Sequence, residues 1–162
     1  MKDLPFKEIK EYPTNTNATG IITRLLDGLG YRFYWATEGL TDKEYAFRLS
    51  AEAMSIGEIV GHIWGLINWI WLSIYGEEFS RPKEDSLVRN SVLKNLTLLK
   101  KHFTEMSVDE LKAIRIEKRP FWHLINGPIS DALTHVGQIN ILRRAAGNPT
   151  PLSNVFLLFT SE

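Results

Sequence analysis

The chain has no cysteine. Disulfides, thiolate metal sites and cysteine nucleophiles are thereby excluded, and any metal centre has to be assembled from imidazole, carboxylate, amide and water. Net charge is absent too, because 19 Lys+Arg balance 19 Asp+Glu. Such a chain lacks the global electrostatic handle that favours nucleic acids and anionic membranes, so neither is expected as a partner. No internal repeat, low-complexity tract or Gly/Ser linker divides the 162 residues. They read as one domain, 1–162, long enough to bury a core. The opening "MKDLPFKEIKEYPTNTN" is charged and has no apolar stretch like that of a secretory signal, so a cytoplasmic protein is expected.

What the sequence does have is helical periodicity. Cap residues at Asn15, Thr16 and Asn17 precede "GIITRLLDGLGYRFYWATEGL", where Ile22, Leu25, Leu26, Leu29, Phe33 and Tyr34 keep the helical period. Gly28 and Gly30 lower its propensity, so packing must hold that helix. Ser55 with Glu58 forms a capping box that opens a second helix ending near Gly76. Its apolar run, 59–75, approaches the length of a membrane span, but it carries His62 and Asn68 and reads as a helix buried in a bundle. A third helix spans roughly 85–106, with Val88, Val92, Leu96, Leu99, Phe103 and Met106 inward and Lys94, Lys100 and Lys101 outward. "AIRIE" (113–117) reads as a short strand or extended linker. The last helix follows Pro120, is kinked or started by Pro128, and ends with Arg143 and Arg144 near its negative pole, Gly147 beyond its end and then Pro149. The apolar tail "LSNVFLLF" is expected to dock on the bundle or on a partner subunit. Four helices with little strand give an all-α four-helix bundle. The five tryptophans are mostly expected in the core, with partners for their indole N–H groups.

The stretch "ISDALTHVGQINILRRAAGNP" puts Asp131, His135, Gln138 and Leu142 on one stripe of the last helix. A carboxylate and an imidazole four residues apart can chelate one divalent ion, and a third donor from a facing helix leaves room for water. His62, on a stripe with Glu58, Leu66 and Trp69, is the natural third donor. Spacing alone leaves a second reading open, in which Asp131 and His135 are a hydrogen-bonded pair and His62 is a satisfied core histidine. Gly127, one turn before Asp131, suits a close helix approach. His123 lies about 80° off the stripe and suits an outer contact, and His102, after two lysines, should be solvated.

At "MSIGEIVGHIWGLINWIW" and "PFWHLINGPISDALTHVGQINILRRAAGNP" the chain resembles the DinB/YfiT-like superfamily of metal-dependent four-helix-bundle proteins. The likeness follows the order of all four helices. It implies up-down-down-up topology, a homodimer, and a nickel- or zinc-type ion held by three histidines between helices two and four. Matched by position, those ligands fall on His62, Asp131 and His135, with aspartate where the family carries histidine. Two imidazoles and one carboxylate suit Zn or Ni, and also Mn or Fe. The resemblance further implies a small-molecule substrate and either hydrolysis or transfer to a low-molecular-weight thiol. Gln138, Glu58 and His123 are then the residues expected around the metal ligands. A non-catalytic dimeric bundle that has lost the metal is the alternative.

Overall fold

The computed structural model describes residues 4–9 and 12–151, and among these the chain is mostly helical. Helix α1 (Ala18–Thr37) begins where the Asn17 side chain accepts the Gly20 N–H at 3.0 Å, which satisfies one of the donors left over at a helix start. Ile22, Leu26, Leu29 and Phe33 are buried. Gly30 has a packing reason: a Cβ there would stand 2.5 Å from the Phe6 ring, which lies against the α1 backbone. Gly30→Ala is therefore expected to cost about 1–3 kcal/mol by overpacking. A urea midpoint that falls at unchanged slope would record it.

A single helical turn, α2 (Asp42–Tyr45), follows in a segment whose sequence reads as a connection. Helix α3 (Ile56–Tyr75) is opened by the expected capping box: Ser55 Oγ accepts the Glu58 N–H at 3.2 Å and Glu58 accepts the Ser55 N–H at 2.7 Å. It ends at Gly76, whose φ of 72° is the left-handed conformation that closes many helices. Ile56, Ile59, Val60, Ile63, Ile67 and Ile70 form its buried face. No helix among the described residues is long and apolar enough to cross a membrane.

Helix α4 (Asp85–Glu105) buries Val88, Val92, Leu96, Leu99 and Phe103. Lys94 and Lys101 point outward as expected, but Lys100 does not. Its ammonium lies 2.6 Å from Asp27 on α1, a carboxylate 2% exposed that needs a cation to offset its lost hydration. His102 also departs from expectation. Its ring packs 4.9 Å from both Trp71 and Tyr75 and is half-buried, because the aromatic end of α3 reaches over the lysine-rich face. The same burial raises the Tyr75 phenol above its ordinary pKa. Trp64 and Trp71 are buried while Trp122 is exposed. The indole N–H of Trp64 donates to Ser91 Oγ at 3.1 Å and that of Trp35 to the Lys7 carbonyl at 3.2 Å.

After α5 (Val108–Ala113), "AIRIE" resolves into half of a two-residue hairpin. Strand β1 (Arg115–Ile116) pairs antiparallel with β2 (Arg119–Pro120). Glu117 and Lys118 both take positive φ, 48° and 70°, as a tight hairpin turn requires. Helix α6 (Trp122–Leu124) runs through a π turn (Ile125–Ile129) into α7 (Ser130–Ala145). Pro128 cannot donate to the helix ladder, and Gly127 leaves helical geometry at φ −99°, ψ −111°. The Ser130 hydroxyl donates to the Ile125 carbonyl at 2.6 Å, so the kink leaves that oxygen paired. Gly127 therefore makes the kink and not the close helix approach its stripe suggests: a Cβ there would meet only the His123 ring, at 3.9 Å.

Helices α1 and α3 each pack against both α4 and α7. At the far end of this assembly Arg143 is 1% exposed. It serves the end of α1 and not only the pole of its own helix, as its position in the sequence suggests. Its guanidinium donates to the carbonyls of Trp35, Ala36 and Glu38 at 3.2, 3.1 and 2.9 Å, and to that of Asn148 at 2.9 Å. Arg89 of α4 meets the same end through Thr37 Oγ1, the Tyr34 carbonyl and Glu38. Gly147, at φ 83°, turns the chain out of α7. The tail 152–159 lies outside the described residues.

Candidate metal centre

His62 stands in the second turn of α3, and Asp131 and His135 stand on successive turns of α7. Contact between α3 and α7 closes the two stripes on one another. His62 Nε2 lies 3.1 Å from Asp131 Oδ2, and His135 Nε2 lies 3.6 Å from Asp131 Oδ1. The two imidazole rings meet edge to face with centroids 4.5 Å apart. One donor atom from each residue falls within 4.8 Å of the other two.

Donors about 2.0–2.1 Å from a tetrahedral ion stand about 3.3 Å from one another. The two carboxylate–imidazole gaps, each to a different oxygen of Asp131, lie on either side of that figure, while the three donors together fall within 4.8 Å. The ring of His135 is set by Gln138, whose Oε1 is 2.8 Å from His135 Nδ1. An amide oxygen only accepts, so in this contact His135 Nδ1 is the donor, which turns Nε2 toward Asp131. Gln138 thus acts through His135. Its replacement, Gln138→Ala, is expected to weaken metal binding about tenfold or more by calorimetry while leaving one ion per chain.

Glu58 and His123 behave otherwise. The Glu58 carboxylate is held by the Ser55 N–H and by Arg48, 3.2 Å away, and does not reach the cluster. The Ser55 backbone hydrogen bond is the main cause that lowers its pKa, opposed by desolvation and helped by Arg48. Because the folded-state value is depressed, this cap contributes stability above the ordinary carboxylate range, and that contribution is lost as pH falls through the folded value. Glu58→Gln is expected to remove this part of the acid-side decline in a urea titration below about pH 5. His123 faces Trp69 at 6.2 Å between ring centroids and accepts from Arg119 at 3.2 Å. It shares a groove of about 600 Å³ with Asp131, bounded by Leu66, Trp69, Asn126 and Pro128, but has no contact with the donor cluster.

Exposure of the three donors is graded. His135 is 15% exposed at the side chain, His62 40% and Asp131 46%, so the open side of the cluster is the Asp131 side, toward the Trp69 groove. His135 and Gln138 also border a second, apolar groove with Leu49, Met54 and Ile141 on its walls. None of the three stands out in the sequence. For Leu49 and Met54 the visible signal is their place as apolar residues in the otherwise polar connection "TDKEYAFRLSAEAM", whereas Ile141 belongs to α7. Comparison with protein-family models, with curated proteins and with solved structures yields no match to this chain.

Proposed function

We propose that this protein is a metal-dependent enzyme acting on a small molecule, with Zn or Ni, or else Mn or Fe, held by His62, Asp131 and His135. The observation that carries this reading is the convergence of three donor atoms from α3 and α7 within 4.8 Å. The DinB/YfiT-like resemblance supports it and suggests an up-down-down-up four-helix bundle, a cytoplasmic homodimer, and hydrolysis or thiol-dependent transfer as the reaction class. Packing of α1 and α3 against both α4 and α7 is compatible with that bundle. A chain with no cysteine would take its thiol as a cosubstrate.

A divalent ion in this position supplies Lewis acidity, polarising a substrate oxygen and lowering the pKa of a water or thiol beside it. The protein's own residues do the rest. His62 and His135 present imidazole nitrogens, and Asp131 contributes a carboxylate whose charge would offset the ion's. Gln138 holds the His135 ring with Nε2 toward Asp131. Leu66 and Trp69 give the Asp131 groove an apolar wall against which substrate can exclude water. The non-catalytic reading is favoured by one observation: His62 Nε2 lies at hydrogen-bond distance, 3.1 Å, from Asp131 Oδ2, a contact that joins α3 to α7 as a structural pair.

Chelator-stripped protein titrated with Zn²⁺ and with Ni²⁺ separates the two. The metal reading expects one ion per chain and proton release on binding, with both lost in His62→Ala and His135→Ala. Wild-type protein that takes up neither ion stoichiometrically would overturn it.

A further inference from the structure

We propose that the substrate of this centre carries an apolar arm, a short alkyl chain or its aryl equivalent, seated in the groove beside His135; the proposal rests on the metal reading above. The groove has a volume of about 420 Å³, within the range of small-molecule sites. Leu49, Met54, Ile141 and Leu142 wall it, and its polar lining is confined to His135 and Gln138. Leu49 is 63% exposed, Met54 40% and Ile141 58%. Large apolar side chains from two separate elements converge on a concave surface that ends at a metal donor.

The outer wall is built and held. Arg48 Nη1 donates to the carbonyls of Ala51 and Ala53 at 3.5 and 3.4 Å, while its Nη2 pairs with Glu58 on α3. The Ala53 N–H donates to the Ser50 carbonyl at 3.2 Å. Glu58, which the sequence placed near the ligands, thus fastens the loop that carries Leu49 and Met54. An apolar concave lining with a few convergent polar groups is the composition of small-molecule sites. Its continuity with His135 commits the occupant to the same molecule whose polar head reaches the ion. That molecule has a carbonyl, carboxylate or hydroxyl head and an apolar arm.

Two hydroxamates test the arm. Acetohydroxamate brings the metal-binding head alone, and octanohydroxamate adds about six methylenes. Full burial of a methylene is worth roughly a fourfold gain in affinity, and a groove open on one side about twofold. On Zn²⁺-loaded protein, octanohydroxamate should therefore bind roughly 30- to 100-fold tighter than acetohydroxamate. The double variant Leu49→Gln with Ile141→Gln should lose most of that gain, its neutral side chains leaving the charge around the ion unaltered. In methyl-labelled protein, the Met54 and Ile141 methyl resonances should shift with octanohydroxamate, with or without metal.

The outcomes are distinct. Methyl shifts in a protein that takes up no ion would overturn the metal reading and leave the apolar groove standing. Stoichiometric metal with no chain-length gain and no methyl shift would overturn the arm and leave the metal centre. Methyl resonances that move with protein concentration and not with octanohydroxamate would assign the groove to a second copy of the chain, which also overturns the proposal.

Discussion

On the proposed metal reading, Zn²⁺ or Ni²⁺ at about a hundred times its Kd is expected to raise the melting temperature of the wild-type protein by roughly 5–10 °C and to leave that of His62→Ala in place. The magnitude follows from linkage. A ligand that binds only the native state at that excess stabilises by about 2.7 kcal/mol, and a domain of this size shifts by about 2–4 °C per kcal/mol. His62 is the informative position because it alone brings a donor from α3. Without it, Asp131 and His135 remain a two-point chelate on one helix. Asp131→Ala is expected to lose the gain as well, whereas Asp131→His, which restores a third imidazole, keeps it. Differential scanning fluorimetry of the four proteins, with and without metal, reads all of this. An equal metal-induced shift in wild type and His62→Ala would show that the ion binds elsewhere.

Arg143→Met is expected to destabilise the protein by about 3–5 kcal/mol, a loss of roughly 10 °C in melting temperature. The guanidinium closes the C-terminal end of α1 by donating to three of its last carbonyls and to Asn148. A cation there also meets the negative pole of α1. Methionine fills much of the volume but leaves those oxygens without the guanidinium donors, and that of Ala36 is buried. Burial lowers the pKa of the guanidinium, while Glu44 and Glu38 oppose that shift. Lysine is a poor substitute, since one ammonium cannot span carbonyls that the planar fork serves together. Arg144, adjacent in sequence but exposed, provides the control: Arg144→Met should change stability by no more than about 0.5 kcal/mol. Equal losses in the two variants would refute the capping role.

Helix starts and the site stripe were legible because they are local. Asn17 and the Ser55–Glu58 box are recognised by spacing within one turn, and Asp131, His135 and Gln138 share a face by helical geometry alone. Of the partners supplied from other elements, His62 was legible as the third donor, but most were not. Lys100 reads as one of three outward lysines, yet Asp27 lies 73 residues earlier in the chain and draws it inward. His102 reads as solvated until the end of α3 brings Trp71 and Tyr75 against it. The roles of Glu58 and Gln138 divided for the same reason. Both looked able to serve a ligand, but Arg48 claims the first for a loop and His135 claims the second for the cluster.

The sequence by itself determined the helical class, the caps, the absence of any thiolate centre and the set of donors available, because composition and short-range periodicity specify each of these. Tertiary structure decided how closely His62, the third donor named from the sequence, meets the α7 pair, at 3.1 Å from Asp131. It also decided that Arg143 belongs to the end of α1, and that a polar-looking connection supplies an apolar wall beside His135. Those outcomes depend on how helices far apart in the chain pack together, and no window of a few residues contains that information.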